Sequence, residues 1–244
     1  MARIDLKSSS GFPATYDGEE LLIKDFSFKS KRDVTIDDVR NQLLNKELNC
    51  PEIFYTKYKQ LDNNDIYQSK GITINFYVVP PNLAGIEYVK TRATRASKYP
   101  RIFDFIYGGA TVLIQNYSGV RKNKVIKTTV KKKDKIIIPA GYDVAIVNVR
   151  QNSNLIFTEY YSTKAKPKVV LDERNGLAYY IIRKNAKQEI VRNPSYKIVN
   201  EPEKLDWDKI ISKYGITPKT PINKQIIRKY ERFDWLFKED SVSI

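Results

Sequence analysis

The chain has 244 residues, and its 43 Lys and Arg against 28 Asp and Glu give a formal charge of +15. Hydrophobic residues make up 41% of it, which is enough for one sizeable core and too many for a disordered protein. It contains no His and a single Cys, Cys50. These counts exclude His-based catalytic triads, His-ligated metals, internal disulfides and thiolate zinc sites. Any catalysis would use carboxylates, Lys, Tyr or Arg.

The distribution of apolar residues indicates where the protein works. The N-terminal segment has no apolar stretch typical of a signal peptide, and no segment approaches the roughly 18 apolar residues of a membrane-spanning helix. We therefore expect a soluble, cytoplasmic protein with no membrane partner. The Lys- and Ile-rich composition, poor in Cys and Met, is typical of a thermophile.

The first 33 residues predict an extended lead-in, and a short helix is expected after it. Thr35 is the predicted N-cap, and two acids, Asp37 and Asp38, fall in the first turn. Its apolar stripe consists of Ile36, Val39, Leu43 and Leu44.

Between about Pro51 and Tyr196 the pattern becomes that of short β-branched and aromatic strands separated by turn residues. The predicted strands are 72–79, 86–90, 101–108, 111–117, 124–130, 135–139, 144–149, 154–161, 168–171, 176–183 and 187–192. Many short strands at this spacing predict a β-sandwich or a closed barrel.

After Asn200 the pattern is helical. One helix is predicted from Pro202 to Tyr214, and a second is predicted to begin at Pro221 with an apolar face extending to Phe237. The domain layout is therefore a lead-in and helix at 1–50, a barrel at 51–197 and a basic helical extension at 198–244. The apolar face of the extension either packs on the barrel or docks on a partner, and the sequence leaves both open.

Two stretches of the barrel region resemble cupin motifs. Pro139, Gly141 and Asn148 occupy the Pro, Gly and Asn positions of the second motif. With IYGGATVLIQ at 106–115 and NPSYK at 193–197, the similarity narrows to the cupin-type glucose-6-phosphate isomerases over residues 11–197. This resemblance implies a mostly β fold with one cupin-type barrel (a double-stranded β-helix or jelly roll), a short N-terminal helix and a helical C-terminal extension. A homodimer is also compatible with it.

The functional positions of that family have changed. The resemblance places the two His of its first motif on Arg92 and Thr94, the Glu that also takes part in proton transfer on Arg101, and the last His on Val144. A further His-Asp-Tyr cluster falls on Pro167, Lys168 and Val169. Guanidinium groups repel a divalent cation and do not act as bases. We therefore expect no catalytic residues, no metal, no cofactor and no enzyme activity, as in a pseudoenzyme.

Three basic segments suggest what the excess charge is for. Arg92, Arg95, Lys98 and Arg101 surround the former metal site, and Lys224, Arg228, Lys229 and Arg232 lie along the C-terminal helix as a partner-binding surface. The third segment sets eight cations against the single Asp134, and these are Arg121, Lys122, Lys124, Lys127, Lys131, Lys132, Lys133 and Lys135. Such crowding costs folding free energy unless a polyanion relieves it. We expect a nucleic-acid-binding protein, with RNA or a ribonucleoprotein such as the ribosome as partner.

Other interpretations remain open. The charged segments could be solvated faces. Arg92 and Arg101 could grip a phosphorylated ligand in the barrel mouth, which would make the protein a sensor, or Arg101 could pair with Asp104 or Glu87. A residual sugar-phosphate isomerase that works without a metal is the third candidate function.

Overall fold

A computed structural model describes residues 3–62, 67–119, 122–170 and 174–244, and within them the chain is mostly β. The N-terminal elements are β1 (Ile4–Asp5), α1 (Lys7–Ser10), β2 (Ala14–Tyr16), β3 (Leu21–Ile23), β4 (Ser27–Thr35), α2 (Ile36–Val39) and a 3₁₀ turn (Arg40–Gln42). The central strands are β5 (Ile53–Asp62), β6 (Ile72–Val79), β7 (Leu83–Ala84), β8 (Glu87–Tyr88), β9 (Thr94–Arg95), β10 (Arg101–Tyr107), β11 (Gly109–Gly119), β12 (Lys122–Lys131), β13 (Lys135–Ile138), β14 (Asp143–Asn148), β15 (Leu155–Ser162), β16 (Lys168–Val169), β17 (Tyr179–Lys184) and β18 (Lys187–Arg192). The C-terminal elements are α3 (Trp207–Lys213), α4 (Ile222–Arg228) and a 3₁₀ helix (Tyr230–Phe237).

Two antiparallel sheets face each other at the centre. One has six strands in the order β13-β10-β15-β6-β5-β4, and the other has five in the order β12-β11-β14-β9-β16. Because strand side chains alternate between faces, every second residue points between the sheets, and Phe103, Phe157, Val112 and Ile146 belong to one buried cluster there. This confirms the expected mostly β, cupin-type jelly roll. The two sheets pack face to face and are not hydrogen-bonded into a closed cylinder.

Both outer faces are covered. A small sheet of β1, β2 and β3 and the C-terminal helices cover the outer face of the six-stranded sheet, where Phe76, Ile102, Ile222 and Phe233 are buried together. A four-stranded sheet, β18-β17-β8-β7, covers the outer face of the five-stranded sheet. The site described below therefore lies between the two central sheets, each of which is covered on its outer face.

The helical predictions were partly right. Thr35 caps α2 in a capping box with Asp38, as expected, but the helix ends at Val39. The helix predicted from Pro202 begins only at Trp207, because Asp206 is its N-cap and accepts a hydrogen bond from the Lys209 N–H. The last predicted helix is broken at Lys229, where φ is −149°, and continues as the 3₁₀ helix.

The termini are more integrated than the lead-in and extension that the sequence predicts. β4 pairs with β5 along the edge of the six-stranded sheet. In the C-terminal part Ile222, Ile226, Phe233 and Leu236 are at most 1% exposed, so its apolar face packs on the barrel. Of the two alternatives for that face, the structure has the intramolecular one.

The helices show no membrane-spanning element. None in the described part of the chain is both long enough and apolar enough to cross a bilayer.

Candidate functional site

The inward faces of the two central sheets enclose a cavity of about 180 Å³. The six-stranded sheet supplies most of its wall, and β9, β14, β16 and the loop before β9 supply the rest. The residues that line it are Arg32, Val34, Tyr55, Lys57, Lys59, Tyr77, Thr91, Arg92, Thr94, Phe103, Val144, Ile146, Phe157, Glu159, Pro167 and Val169. The volume is that of about six water molecules, so the cavity admits a small ligand only.

The positions onto which the sequence resemblance places the metal ligands lie in or beside this cavity. Arg92, Thr94 and Val144 line the cavity. Arg101 lies behind the wall with 1% of its side chain exposed, donating to Thr94 Oγ1 and to the Thr94 carbonyl, each at 2.9 Å. Pro167 and Val169 also line the cavity, whereas Lys168 alternates to the exposed side of β16.

Glu159 is the carboxylate at the base of the cavity, and it is held by three kinds of donor. Arg101 Nη1 donates to Glu159 Oε1 at 3.0 Å, and Tyr77 Oη donates to Oε2 at 2.6 Å. The Asn75 amide also donates to Oε2, at 3.2 Å. Burial by itself would raise the pKa of Glu159, but the nearby Lys57 and Arg101 cations bring that pKa below its usual value. Glu159 is therefore an ionised group and a weak base.

Cations outnumber acids around this cavity. Arg32, Lys57, Lys59 and Arg92 line it, whereas Glu159 is the one acid among the described lining residues. Asp38 lies 3.7 Å from Arg92 Nη1 and accepts a 2.6 Å hydrogen bond from Arg32. The cavity thus has a net positive charge.

Arg92 has a donor without a partner. Its Nε atom is buried and forms no hydrogen bond within the described part of the chain. A buried guanidinium N–H that lacks an acceptor costs folding free energy.

The amine of Lys57 is partly buried in the cavity wall, beside Glu159 and the Tyr77 ring. Its side chain is 23% exposed, its Nζ lies 4.0 Å from Glu159 Oε2, and it stands 4.8 Å from the centre of the Tyr77 ring. Burial lowers the pKa of Lys57; Glu159 opposes this, and Lys59, Arg101 and Arg92 lower it further.

A divalent metal does not fit this set of donors. Two of the four positions that the resemblance assigns to metal ligands hold guanidinium groups. The one side-chain oxygen among the four is the Thr94 hydroxyl, which accepts a hydrogen bond from Arg101. The described residues contain no group of three or more His, Cys, Asp or Glu that could hold a metal ion. The chemistry of these side chains suits an anion instead.

Arg101 differs from both of the roles considered for it. The carboxylate that it pairs with is Glu159, because Asp104 points to the opposite face of β10 and pairs with Lys135 at 3.4 Å. Glu87 pairs with Lys90. With 1% of its side chain exposed and its terminal nitrogens engaged, Arg101 is unsuited to grip a ligand, and Arg92 alone of the two reaches the cavity.

The basic segment 121–135 does not form one surface. Lys135 was wrongly expected to contact nucleic acid, since its side chain is 0% exposed and pairs with Asp104 in the core. Arg121 lies outside the described residues. The alternation of β12 places Lys122 and Lys124 on one face of the strand and Lys127 and Lys131 on the other.

The remaining predicted contacts divide into free and engaged cations. Lys122, Lys131 and Lys132 are exposed, and Lys127 and Lys133 are half-buried. Lys124 donates to the carbonyl of Ile244 at 2.9 Å and lies 3.6 Å from Glu203. Arg95 holds Asp143 with two hydrogen bonds of 2.6 and 2.8 Å, and Lys98 lies 3.3 Å from Glu239.

The basic residues of the C-terminal helix remain accessible. Lys224, Arg228, Lys229 and Arg232 are all exposed. Because α4 stops at Arg228, they do not lie along one continuous helix, and the predicted partner-binding surface is interrupted at Lys229.

Neither Lys57 nor Glu159 was predicted as a site residue from the sequence. The signal that could have found them is the alternation in two strands, where a charged residue occupies an inward position: Lys57 between Tyr55 and Lys59, and Glu159 two residues after Phe157. A charge on the apolar face of a strand that faces a core indicates a site.

Many solved structures resemble this chain, two of them described as a double-stranded β-helix and a cupin barrel protein, and no curated protein matches it. An uncharacterized double-stranded β-helix protein from Klebsiella pneumoniae is 13% identical over 48% of this chain and 84% of that one, with a TM-score of 0.35. A cupin 2 barrel protein from Rhodopseudomonas palustris is 11% identical over 49% of this chain and 70% of that one, also at 0.35.

An oxalate oxidase in complex with the substrate analogue glycolate is 16% identical over 42% of this chain, with a TM-score of 0.35. This chain spans 47% of the length of that enzyme.

The family assignment is carried by a family model. The model described as glucose-6-phosphate isomerase matches residues 41–198, which is about two thirds of the chain and includes every strand that lines the cavity except β4. The match overlaps the stretch in which the sequence motifs resemble those enzymes. This protein belongs to the glucose-6-phosphate isomerase family.

Proposed function

We propose that this protein binds a small phosphorylated molecule in the cavity between its two central sheets, without the metal chemistry of its family. The observation that carries the proposal is the imbalance of charge, with four cations and the single Glu159 among the described lining residues. A phosphate monoester carries up to two negative charges and accepts several hydrogen bonds, so it would neutralise the cavity. Membership of a family named for a sugar phosphate points to the same ligand class.

Arg92 is the residue expected to recognise the phosphate. Its side chain lines the cavity, and Lys59 and Arg32 would add charge from the neighbouring strands β5 and β4. The small volume of the cavity favours a phosphorylated triose over a hexose phosphate or a nucleotide. The Asp38 carboxylate lies 3.7 Å from Arg92 Nη1, and its interaction with that guanidinium would weaken when the ligand binds.

Titration calorimetry with glycerol 3-phosphate and with glycerol tests the proposal. Glycerol 3-phosphate is expected to bind, and glycerol is not. Arg92→Met should weaken binding about tenfold to a hundredfold, because a hydrogen bond to a charged group contributes about 1.5 to 3 kcal/mol. Arg228→Met, which removes an equally charged but exposed side chain, is the control and should leave the affinity unchanged. Equal weakening by both variants would show that net charge, and not the cavity, attracts the ligand.

Nucleic-acid binding is the second candidate. The observation in its favour is that Lys122, Lys131 and Lys132 are exposed on and beside an edge strand and have no assigned role in the core. The division of the β12 lysines between two faces reduces the number of phosphates that one RNA strand could contact. Filter binding to ribosomal RNA over a range of salt concentrations tests it, and a slope of about −3 to −5 in log affinity against log salt would indicate four to six phosphate contacts.

An isomerase that works without a metal has less support. Proton abstraction beside a carbonyl needs a base, and the cations around Glu159 hold its pKa below the usual value for a glutamate. We expect no turnover of glucose 6-phosphate in a coupled assay at high protein concentration. Turnover that disappears in Glu159→Gln would show that this carboxylate acts as the base.

A further inference from the structure

We propose that Lys57 forms a reversible imine with the carbonyl carbon of a phosphorylated aldehyde or ketone bound in the cavity. This inference rests on the proposed function, since the phosphate is what brings the carbonyl to the lysine. To phosphate binding it adds a covalent step. It also restricts the ligand to molecules that carry both a phosphate and a carbonyl group a few bonds apart.

The position of Lys57 carries the inference. Its amine reaches the cavity from β5, opposite Tyr77 in register, and is 4.0 Å from Glu159 Oε2, too far for a direct hydrogen bond. Its neighbours Arg92 and Lys59 also line the cavity, so a phosphate bound by them would leave the rest of the ligand beside Lys57. The carbonyl group of such a ligand would therefore lie in the cavity beside this amine.

The charges around Lys57 favour a nucleophilic amine. Facing it are Arg32 from β4, Lys59 from its own strand, Tyr77 from β6, Arg101 from β10, Glu159 from β15 and Arg92 from the loop before β9. Partial burial and the three cations Lys59, Arg101 and Arg92 lower the pKa of Lys57, and only Glu159 opposes them. A lysine among cations in a partly apolar site is the usual setting of a Schiff-base lysine.

The step balances without an additional reagent. The Lys57 ammonium gives one proton to Glu159 through a bridging water molecule, and the free electron pair of Nζ adds to the carbonyl carbon while the carbonyl π pair moves to oxygen, which takes up that proton from Glu159. Loss of that oxygen as water, after a second proton transfer, leaves a protonated imine. One water is released, one C–N double bond replaces one C–O double bond, and Glu159 returns to its ionised form. Glu159 is thus the expected proton carrier, a role that a weak base can fill because the proton is only relayed.

Reductive trapping tests this step. The full-length protein is incubated with glyceraldehyde 3-phosphate and sodium cyanoborohydride, and the adduct is located by peptide mass spectrometry. We expect one adduct per chain on Lys57, at least tenfold more abundant than on any exposed lysine, and its loss in Lys57→Arg. Lys31→Arg, an exposed lysine on the neighbouring strand β4 and outside the cavity, should keep the adduct.

Competition separates this inference from the proposed function. Glycerol 3-phosphate has no carbonyl and should block trapping by occupying the site. If glycerol 3-phosphate binds but the adduct spreads evenly over the lysines or falls on Lys59, the imine is wrong and phosphate binding stands. If glycerol 3-phosphate does not bind and no adduct is found on Lys57, both are wrong. An adduct on Lys57 that unphosphorylated glyceraldehyde gives equally well would support the imine and overturn phosphate recognition.

Discussion

The two faces of β10 hold two buried ion pairs that differ in balance and in access. On the outer face Asp104 lies 3.4 Å from Lys135, and both side chains are 0% exposed. On the inner face Arg101 lies 3.0 Å from Glu159, at the base of a cavity lined by four further cations. Residues 101 and 104 are an odd number of positions apart, so their side chains point to opposite faces of the same strand.

The outer pair is a structural junction. Asp104 Oδ2 also accepts a hydrogen bond of 2.9 Å from the Ile222 N–H, the first residue of α4. One acid, one cation and one backbone donor meet there, and both side chains are excluded from solvent, although Lys135 also lines a second pocket with Asp134 and Lys219. The inner pair has an excess of positive charge and open space beside it. A neutral pair that is excluded from solvent has a structural role. A pair beside a cavity with excess positive charge can be stabilised further by a bound anion.

The largest effect is expected at the outer pair. Lys135→Met would leave Asp104 buried without its cation, and removal of one partner of a buried pair costs about 3 to 5 kcal/mol. Urea denaturation at pH 8 measures the loss of unfolding free energy. Lys132→Met removes an exposed lysine three residues away and should change it by less than about 0.5 kcal/mol. Similar values for both variants would contradict the assignment of the outer pair as a junction.

The outer pair also predicts a dependence of stability on pH. Burial raises the pKa of Asp104 to about 6, against the opposing effect of Lys135 and the Ile222 N–H. An acid whose pKa is higher in the folded state favours folding below the unfolded pKa of about 4, and that contribution is lost as the pH rises to about 6. Two pH units correspond to about 3 kcal/mol.

The matched reference is the double variant Asp104→Asn/Lys135→Met, in which neither position titrates. The unfolding free energy of the wild type should fall relative to that of the double variant between pH 4 and pH 6, and then level off. Parallel curves over this interval would show that Asp104 keeps an ordinary pKa in the folded protein.

At the inner pair one substitution should move stability and binding in opposite directions. Glu159→Gln removes a charge-assisted acceptor for Arg101 and Tyr77, so it should cost about 2 kcal/mol in the absence of anions. It also removes the carboxylate that repels a phosphate, so inorganic phosphate should bind about tenfold more tightly. Calorimetry and denaturation with and without phosphate measure both effects. Glu239→Gln, at an exposed ion pair, is the control. Weaker phosphate binding in Glu159→Gln would mean that Glu159 contacts the ligand as an acceptor.

The strand pattern of the sequence predicted most of the strands. Residues 72–79 and 187–192 are strands with the expected limits, because alternating β-branched and aromatic residues bounded by turn residues specify a strand locally. β4 and β5 were not predicted as strands. The edge strand β4 is rich in exposed Lys and Ser and lacks that alternation, and β5 interrupts its aromatic residues with Lys57 and Lys59. Their pairing depends on distant residues of the chain.

The site was predictable only in position. The family motifs placed Arg92, Thr94 and Val144 together, and the structure brings them to one cavity. Glu159 and Lys57 belong to no motif, and their importance comes from cross-strand neighbours such as Asn75 and Tyr77, which sequence spacing does not reveal. For the same reason Lys135 was taken for a surface cation, since nothing local distinguishes it from its three preceding lysines. Register, and not composition, decides which lysine is buried.

The smallest effect on stability is expected at the exposed lysines, and it extends the comparison to charged side chains outside the central cavity. Lys122, Lys131 and Lys132 are exposed, so their joint replacement by Ala should change the unfolding free energy by less than about 1 kcal/mol. If they contact the phosphates of RNA, each replacement should make the slope of log affinity against log salt shallower by about 0.7 to 0.9. Glycerol 3-phosphate binding should not change, because none of the three lines the cavity. An unchanged RNA affinity and slope in the triple variant would mean that these lysines are solvated, and the central cavity would then be the anion site that the charge of this chain serves.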